Sequence, residues 1–118
     1  LVAGRGFDDT IALGGYPIDI HSPDKAETNT RHLSPDTAYS IPMRCMLTET
    51  PPNLITVGRA VSATHEASAA IRVSPIAMAI GQAGGTLAAQ AVRENIAPKD
   101  CEYDKLRETL LGDDVLLN

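Results

Sequence analysis

Aromatic residues are scarce in this sequence, which contains no Trp, one Phe and three Tyr among 118 residues. Aromatic side chains bury the largest area per residue, so their scarcity excludes a core built on large rings. Hydrophobic residues still make up 43% of the chain, and many of them are Ala. We therefore expect closely packed aliphatic and small side chains, a core more natural in a segment that packs against other protein or a large ligand.

Cysteine and positive charge are also limited. The two cysteines, Cys45 and Cys101, match no metal-binding or redox spacing. We interpret them as two free thiols, which slightly favours a reducing, cytoplasmic location. The net charge is −5 and no basic patch is visible, which excludes a typical nucleic-acid-binding protein.

No stretch reaches the roughly 20 strongly apolar residues of a membrane-spanning helix. The most apolar segment, residues 76–92, carries Gln82, Thr86 and Gln90, so we predict a buried helix and no membrane partner. Leu1 is not Met, and the residues after it form neither a basic targeting stretch nor a signal peptide. We interpret the chain as a fragment of a longer protein.

The apolar pattern predicts an α/β chain, in the form of an α+β fragment of short strands and one long buried helix. Residues 16–21 alternate apolar and polar, and residues 39–47 form a second extended candidate. Residues 53–59 are a β-branched run ending in Gly, typical of a buried parallel strand. Residues 22–37 are polar and contain Pro, which predicts a loop.

The long helix is predicted to begin at Ser74 and Pro75, with Ser as N-cap and Pro at the first helical position. It can run to about Asn95, a length of ~31 Å at 1.5 Å per residue. Its small side chains all round predict burial on most sides. Three glycines each cost about 1 kcal/mol against Ala in a helix, which indicates a close backbone approach. They are Gly81, Gly84 and Gly85.

Two shorter helical segments flank this helix. Residues 60–73 form a connection rich in small residues, with a helical turn predicted near residues 66–71. Residues 103–111 predict an amphipathic helix with Gly112 as its C-cap.

Four segments in order carry a resemblance to a known family. They are Asn53-Leu-Ile-Thr-Val-Gly-Arg59, Ser62-Ala-Thr-His-Glu-Ala67, Ala70-Ile-Arg-Val73 and Ala79-Ile-Gly-Gln-Ala-Gly-Gly-Thr86. Together they resemble the C-terminal flavin-binding signature of the FAD-dependent oxidoreductase family, bacterial type. Two upstream segments resemble that family's substrate-side strands: Tyr16-Pro-Ile-Asp-Ile-His21 and Tyr39-Ser-Ile-Pro-Met-Arg44.

The resemblance implies a division of the chain into three parts. They are residues 1–52, a substrate-side sheet region; residues 53–97, the strand–helix unit that completes a Rossmann-like FAD-binding domain; and residues 98–118, a helical tail. In the family the start of this helix contacts the isoalloxazine ring and ribityl chain. Carried over, the implied flavin contacts are Gly58, Arg59, Arg72, Val73, Pro75 and Ile76.

The helix start also suits a flavin on physical grounds. The first N–H groups of a helix lack internal partners and lie at the positive end of its dipole. A reduced flavin carries negative charge around N1 and the C2 carbonyl, so N–H groups of Ile76, Ala77 and Met78 can stabilise it. The alternative is a Ser-Pro cap on an ordinary buried helix.

The family's phosphate-binding fingerprint, Gly-x-Gly-x-x-Gly, is absent. The segment Gly4-Arg5-Gly6-Phe7-Asp8-Asp9 has Asp in place of the third Gly. We therefore expect FAD in the intact protein but poor retention by this chain. The implied partners are the missing N-terminal FAD-binding portion of the same protein and a small-molecule substrate.

Three residues are catalytic candidates: His65, His21 and Arg44. His65 precedes the flavin-facing helix, where a proton donor or substrate anchor is useful, although a structural turn His fits equally. His21 ends a strand, and a structural role is slightly favoured, whereas His32 is expected to be solvated. Arg44 can bind an anionic substrate or the flavin's pyrophosphate and O2 region, as can Arg59 and Arg72, or each can tie a loop to a carboxylate. Glu66 is a ready partner for such an arginine.

Three functions remain open at this point. The first is the closing segment of a flavoenzyme, inactive by itself, with an unknown substrate. The second is a non-catalytic interaction domain that binds through its Ala/Gly-rich helix. The third is a polysaccharide lyase, but the sequence has no aromatic sugar platform and no Tyr/His/Arg cluster with readable spacing.

Overall fold

The computed structural model describes residues 4–21, 28–34 and 37–117. Within these ranges the fold is α+β, as predicted, with four short strands and three α-helices. The strands are β1 (Thr10–Gly14), β2 (Ile18–His21), β3 (Thr28–Arg31) and β4 (Tyr39–Pro42). The helices are α1 (His65–Ile71), α2 (Ser74–Glu94) and α3 (Tyr103–Gly112). Short 3-10 helices span Met43–Met46, Gly58–Ala60 and Pro98–Asp100.

The strands form two separate antiparallel pairs. In one, β1 pairs with β4, so that Gly14 lies opposite Tyr39, and the register shifts between Thr10 and Ala12. In the other, β2 pairs with β3, and Ile18 lies opposite Arg31. The α1 helix packs on β2 and the α2 helix packs on β1, so each helix covers one of the two pairs.

The strand predictions are partly confirmed. The alternation at residues 16–21 forms β2, and the second candidate forms β4 but ends at Pro42, where the chain turns into the 3-10 helix Met43–Met46. β1 was not predicted, because its five residues lie between two glycine turn signals. β3 lies within the predicted loop 22–37, of which residues 22–27 and 35–36 are outside the described ranges.

The predicted parallel strand at residues 53–59 is wrong. Only Ile55 forms a bridge there, and it is antiparallel to Leu47. Gly58 has a φ of +60°, which ends extended backbone, and a 3-10 helix begins at that residue. The segment is instead fastened to the Met43–Met46 helix, because the Thr56 N–H donates to the Met46 carbonyl at 2.8 Å. Among the described residues no strand lies in position to make it parallel.

The core lies between α2, α3 and the β1–β4 pair. The largest fully buried side chains are Ile11, Tyr39, Met46, Ile80, Leu87, Leu106 and Leu110. Hydrogen bonds of Tyr103 and Gln90, with an exposed one from Lys105 to Glu94 at 3.2 Å, join the C-terminal part to the rest. The Tyr103 hydroxyl donates to the Thr10 carbonyl at 2.7 Å, and the buried Gln90 amide donates to the Glu102 carbonyl at 3.2 Å. The tail helix is thereby part of the same packed unit.

The α2 helix confirms the prediction of a long helix but is less buried than expected. Met78 is 73% exposed and Val92 is 80% exposed, so one face of the helix contacts solvent. Only one of its three glycines makes the predicted close approach: a Cβ on Gly84 would overlap Cγ1 of Val57. Gly81 and Gly85 face open space within 4 Å. In the described part of the chain no helix has the length and apolar character to cross a membrane.

The shorter helices also follow the sequence. α1 covers the predicted turn and starts one residue earlier, capped by the Thr64 hydroxyl, which accepts from the Ala67 N–H at 3.2 Å. α3 covers the predicted helix, but Gly112 is its last residue and Asp113 is the C-cap, which corrects the predicted cap.

Candidate functional site

The α2 helix starts one residue earlier than its sequence indicates. Val73 is the N-cap with extended backbone, Ser74 is the first helical residue, and no side chain caps the helix. A Ser74 cap would use the N–H of Ala77, but that N–H already donates to the Val73 carbonyl at 3.0 Å. The predicted Ser cap and the predicted free amide of Ala77 are therefore both wrong. The first turn keeps the N–H groups of Ser74 and Ile76, with no acidic residue beside them.

A cavity of about 400 Å³ opens at this helix start, and we call it the cap cavity. Its lining residues are Tyr16, Arg59, Arg72, Val73, Ser74 and Pro75. Four of the six predicted flavin contacts thus lie around one concavity. Two guanidinium groups and the positive end of the α2 dipole make it favourable for an anion or an electron-rich ring edge.

The other two predicted flavin contacts, Gly58 and Ile76, do not line this cavity but adjoin residues that do. The positive φ of Gly58 suits glycine, and it turns the chain into the 3-10 helix that carries Arg59. The side chain of Ile76 is only 6% exposed and belongs to the core. Only the backbone of Ile76 is therefore able to face a ligand.

A second cavity, of about 370 Å³, lies beside the first, and we call it the histidine cavity. Its polar lining residues are Asp19, His21, Arg59, His65, Ser68 and Arg72, and its apolar wall is formed by Ile20, Ala69 and Ile71. Arg59 and Arg72 line both cavities. The structure thus brings the catalytic candidates His21 and His65, which come from β2 and α1, to one place.

Asp19 organises the charges of the histidine cavity. Its carboxylate, only 17% exposed, lies 3.5 Å from Arg72 Nη2 and 3.5 Å from His21 Nε2, and it accepts from the Thr30 hydroxyl at 3.3 Å. Arg72 is held further by a bond of 3.3 Å from its Nε to the Ala69 carbonyl. Sequence reasoning missed Asp19, although residues two apart on a strand, such as Asp19 and His21, point to the same face.

Arg59 differs from Arg72 in having no ion pair with any residue in the described ranges. Its guanidinium group is exposed and stands where the two cavities meet. The positive charge of Arg72 is offset by Asp19, whereas no carboxylate within residues 4–21, 28–34 and 37–117 forms an ion pair with Arg59. Arg59 is therefore the group best prepared to receive an anion from solvent.

Arg44 is separated from these groups and lines neither cavity. Its Nη2 lies 2.9 Å from the Asp9 carboxylate, and its guanidinium stands 5.1 Å from the centre of the Phe7 ring. The expected partner Glu66 pairs instead with Arg31 at 3.7 Å, so the predicted link from Glu66 to a site arginine is wrong.

The two cysteines are free thiols, as predicted. Burial and the nearby Asp9 carboxylate raise the pKa of Cys45 to about 11, and burial likewise raises the pKa of Cys101. Both side chains are therefore protonated near neutral pH and are weak nucleophiles. No group of three or more acidic, His or Cys side chains in the described ranges is arranged to hold a metal ion.

Comparison with known proteins gives one match. The family model described as FAD dependent oxidoreductase matches residues 1–110, which is nearly the whole chain. No curated protein and no solved structure matches. The chain belongs to the FAD-dependent oxidoreductase family.

Proposed function

We propose that this chain is the C-terminal segment of a flavoenzyme and that the start of α2, together with Arg59 and Arg72, contacts the flavin ring of FAD. The observation that carries the proposal is the cap cavity, where an uncapped helix start and two guanidinium groups face one concavity. When bound, FAD supplies the capacity to accept and donate hydride or electrons. The chain's own residues bind and orient the cofactor.

The residues of the cap cavity fit the pyrimidine side of a flavin. The N–H groups of Ser74 and Ile76 are donors, and the helix dipole places about half a positive charge at this end. Pro75 contributes no N–H but fixes the backbone of the first turn. Arg59 adds a charge that no carboxylate in the described ranges offsets, and Arg72, paired with Asp19 at 3.5 Å, is held beside the helix start. These groups stabilise negative charge on the ring edge and therefore favour the reduced cofactor.

The ADP half of FAD requires a second part of the protein. The partial fingerprint at residues 4–9 leads through a turn into β1 and not into a helix, so it offers no helix start to a pyrophosphate. We propose that the remainder of the same protein supplies that site and packs on the exposed face of α2 around Met78 and Val92. Without it, this chain retains FAD poorly.

The histidine cavity is proposed to hold the small-molecule substrate. His65 and His21 line it, and either imidazole can exchange a proton with a bound molecule. Arg44 has no place in this scheme, because it is paired with Asp9 away from the cavity.

The proposal predicts the effect of Arg72→Gln in the full-length protein. We expect lower flavin occupancy and a midpoint potential lower by about 30 mV, because a loss of about 1.4 kcal/mol in binding of the reduced form corresponds to that shift for two electrons. Flavin absorbance per protein and a redox titration measure the two effects. Arg93→Gln, in the last turn of α2, is the matched control.

Unchanged occupancy and potential in Arg72→Gln would contradict the assignment of Arg72. A colourless full-length protein with an intact fold would contradict the flavoenzyme proposal itself. That result would favour an interaction domain, for which the exposed apolar face of α2 is the supporting observation.

A further inference from the structure

The histidine cavity has a charge pattern that points to the class of its ligand. We propose that it binds a small organic monocarboxylate, with the Arg59 guanidinium as the anchor and a short apolar chain against Ile20, Ala69 and Ile71. The proposal rests on the proposed function in one respect: the carboxylate is the substrate because the cavity adjoins the place assigned to the flavin.

The sign of the ligand's charge follows from the charges that line the cavity. Among the described lining residues two arginines, Arg59 and Arg72, accompany one carboxylate, that of Asp19. Asp19 is already engaged by Arg72 and His21, each at 3.5 Å. With uncharged imidazoles the described lining residues therefore keep one unit of positive charge, and it resides on Arg59. Such a cavity attracts anions and repels cations.

The choice of a monocarboxylate over a phosphate follows from the same lining. A guanidinium offers a planar fork of N–H donors that matches the two oxygens of a carboxylate. A phosphate dianion would pair with the Arg59 guanidinium, but its two negative charges would be repelled by the Asp19 carboxylate. The apolar wall adds a contact for a hydrocarbon chain, which inorganic phosphate lacks. A volume of about 370 Å³ suits a small organic acid.

The two histidines of the cavity can contact a ligand, and their NMR resonances can report its binding. His65 is the first residue of α1, whose start is secured by the Thr64 cap, and His21 ends β2 in the ladder with β3. Their rings line the cavity from two sides, whereas the exposed His32 lies outside it. A ligand in the cavity is therefore expected to change the NMR signals of two of the three imidazoles.

The test is a titration of the 118-residue chain with butyrate, followed through its imidazole NMR resonances. We expect the resonances of His21 and His65 to move and saturate, while those of His32 stay in place. Butyramide, a neutral molecule of nearly the same shape, should produce no saturable shift at equal concentration. Inorganic phosphate should bind more weakly than butyrate. Equal shifts with butyramide, or tighter binding of phosphate, would overturn the proposal.

Two variants test the assignment of the anchor. Arg59→Gln should weaken butyrate binding about tenfold, the loss expected for one partly screened charge-assisted hydrogen bond. Asp19→Asn should strengthen it about threefold, because it removes the only opposing charge among the described lining residues. Arg93→Gln should bind as the unmodified chain does, and amide spectra check that each variant is folded. Unaltered affinity in Arg59→Gln would refute the anchor.

Failure of the monocarboxylate proposal can be distinguished from failure of the flavin proposal. The butyrate titration contains no flavin and reports on Arg59, whereas the test of the proposed function measures flavin occupancy and potential through Arg72. If the chain binds butyrate while the full-length protein lacks flavin, the anion site is supported and the flavoenzyme proposal is contradicted. A full-length protein that contains flavin, together with a chain that does not bind butyrate, supports the flavoenzyme and contradicts the monocarboxylate site.

Discussion

Replacing Gly84 with Ala is expected to lower the free energy of unfolding by about 1–2 kcal/mol, and Gly84→Leu by about 3 kcal/mol or more. A Cβ at this position would overlap Cγ1 of Val57 and approach Ile55 and Met46, so the Val57 side chain or its loop must shift away from α2. The matched control is Gly85→Ala, where a Cβ meets nothing within 4 Å. That change should raise the free energy of unfolding by about 0.5–1 kcal/mol, because Ala has the higher helix propensity.

Urea unfolding of the three variants, compared at equal m-value, measures these effects. Equal stabilisation by Gly84→Ala and Gly85→Ala would show that the contact between α2 and Val57 does not exist. Val57 directly precedes Gly58 and Arg59, so its displacement also disturbs the cap cavity. We therefore expect Gly84→Leu to lower flavin occupancy in the full-length protein as well.

Tyr39→Phe is expected to lower the free energy of unfolding by about 1–3 kcal/mol near neutral pH. The Tyr39 ring is fully buried, and its hydroxyl lies 3.2 Å from both the Tyr16 and Ala70 carbonyls. It therefore joins β4 to the segment before β2 and to the end of α1. Phe leaves these carbonyls without that donor. A loss below about 0.5 kcal/mol in urea unfolding would show that water replaces the hydroxyl without cost.

The same residue makes the fold sensitive to alkaline pH. Burial raises the pKa of Tyr39 from 10.0 to about 12. The fold requires the neutral phenol, so its contribution is complete below pH 10 and is lost as the pH rises towards 12. Two pKa units correspond to about 3 kcal/mol.

Urea unfolding from pH 9 to 12 measures this loss, and Tyr39→Phe should show a shallower decline above pH 10 than the unmodified chain. Cys45, with its pKa raised to about 11, also destabilises the fold as it ionises, so both proteins are compared with Cys45→Ser. Identical pH dependence with and without the Tyr39 hydroxyl would contradict the assignment.

Local signals predicted the helices well. α2 and α3 were found within one or two residues, because a run of small and apolar residues after Ser-Pro, and a period of three to four before Gly112, are properties of the chain itself. The exact cap of α2 was not predictable. It depends on which acceptor the Ala77 N–H finds, and in the structure that acceptor is the Val73 carbonyl at 3.0 Å.

Strands were predicted less well, because a strand requires a partner that the local sequence does not name. The β-branched run at residues 53–59 resembles a buried strand, yet it forms only one bridge, to Leu47. β1 has a short, ordinary sequence and forms a strand because β4 lies beside it. Strand pairing depends on tertiary structure, whereas the hydrophobic pattern alone indicates only which residues are buried.

The family, the long helix and most residues around its start were predictable from the sequence, since these are carried by ordered motifs and local propensity. Which of those residues meet was set by the tertiary structure. It placed His21 and His65 on one cavity and tied Arg72 to Asp19, and within the described part of the chain it gave Arg59 no carboxylate partner. It also paired Arg44 with Asp9, away from both cavities. Ion pairs form between whichever charges the packed core brings within a few ångströms, and sequence spacing does not encode that distance.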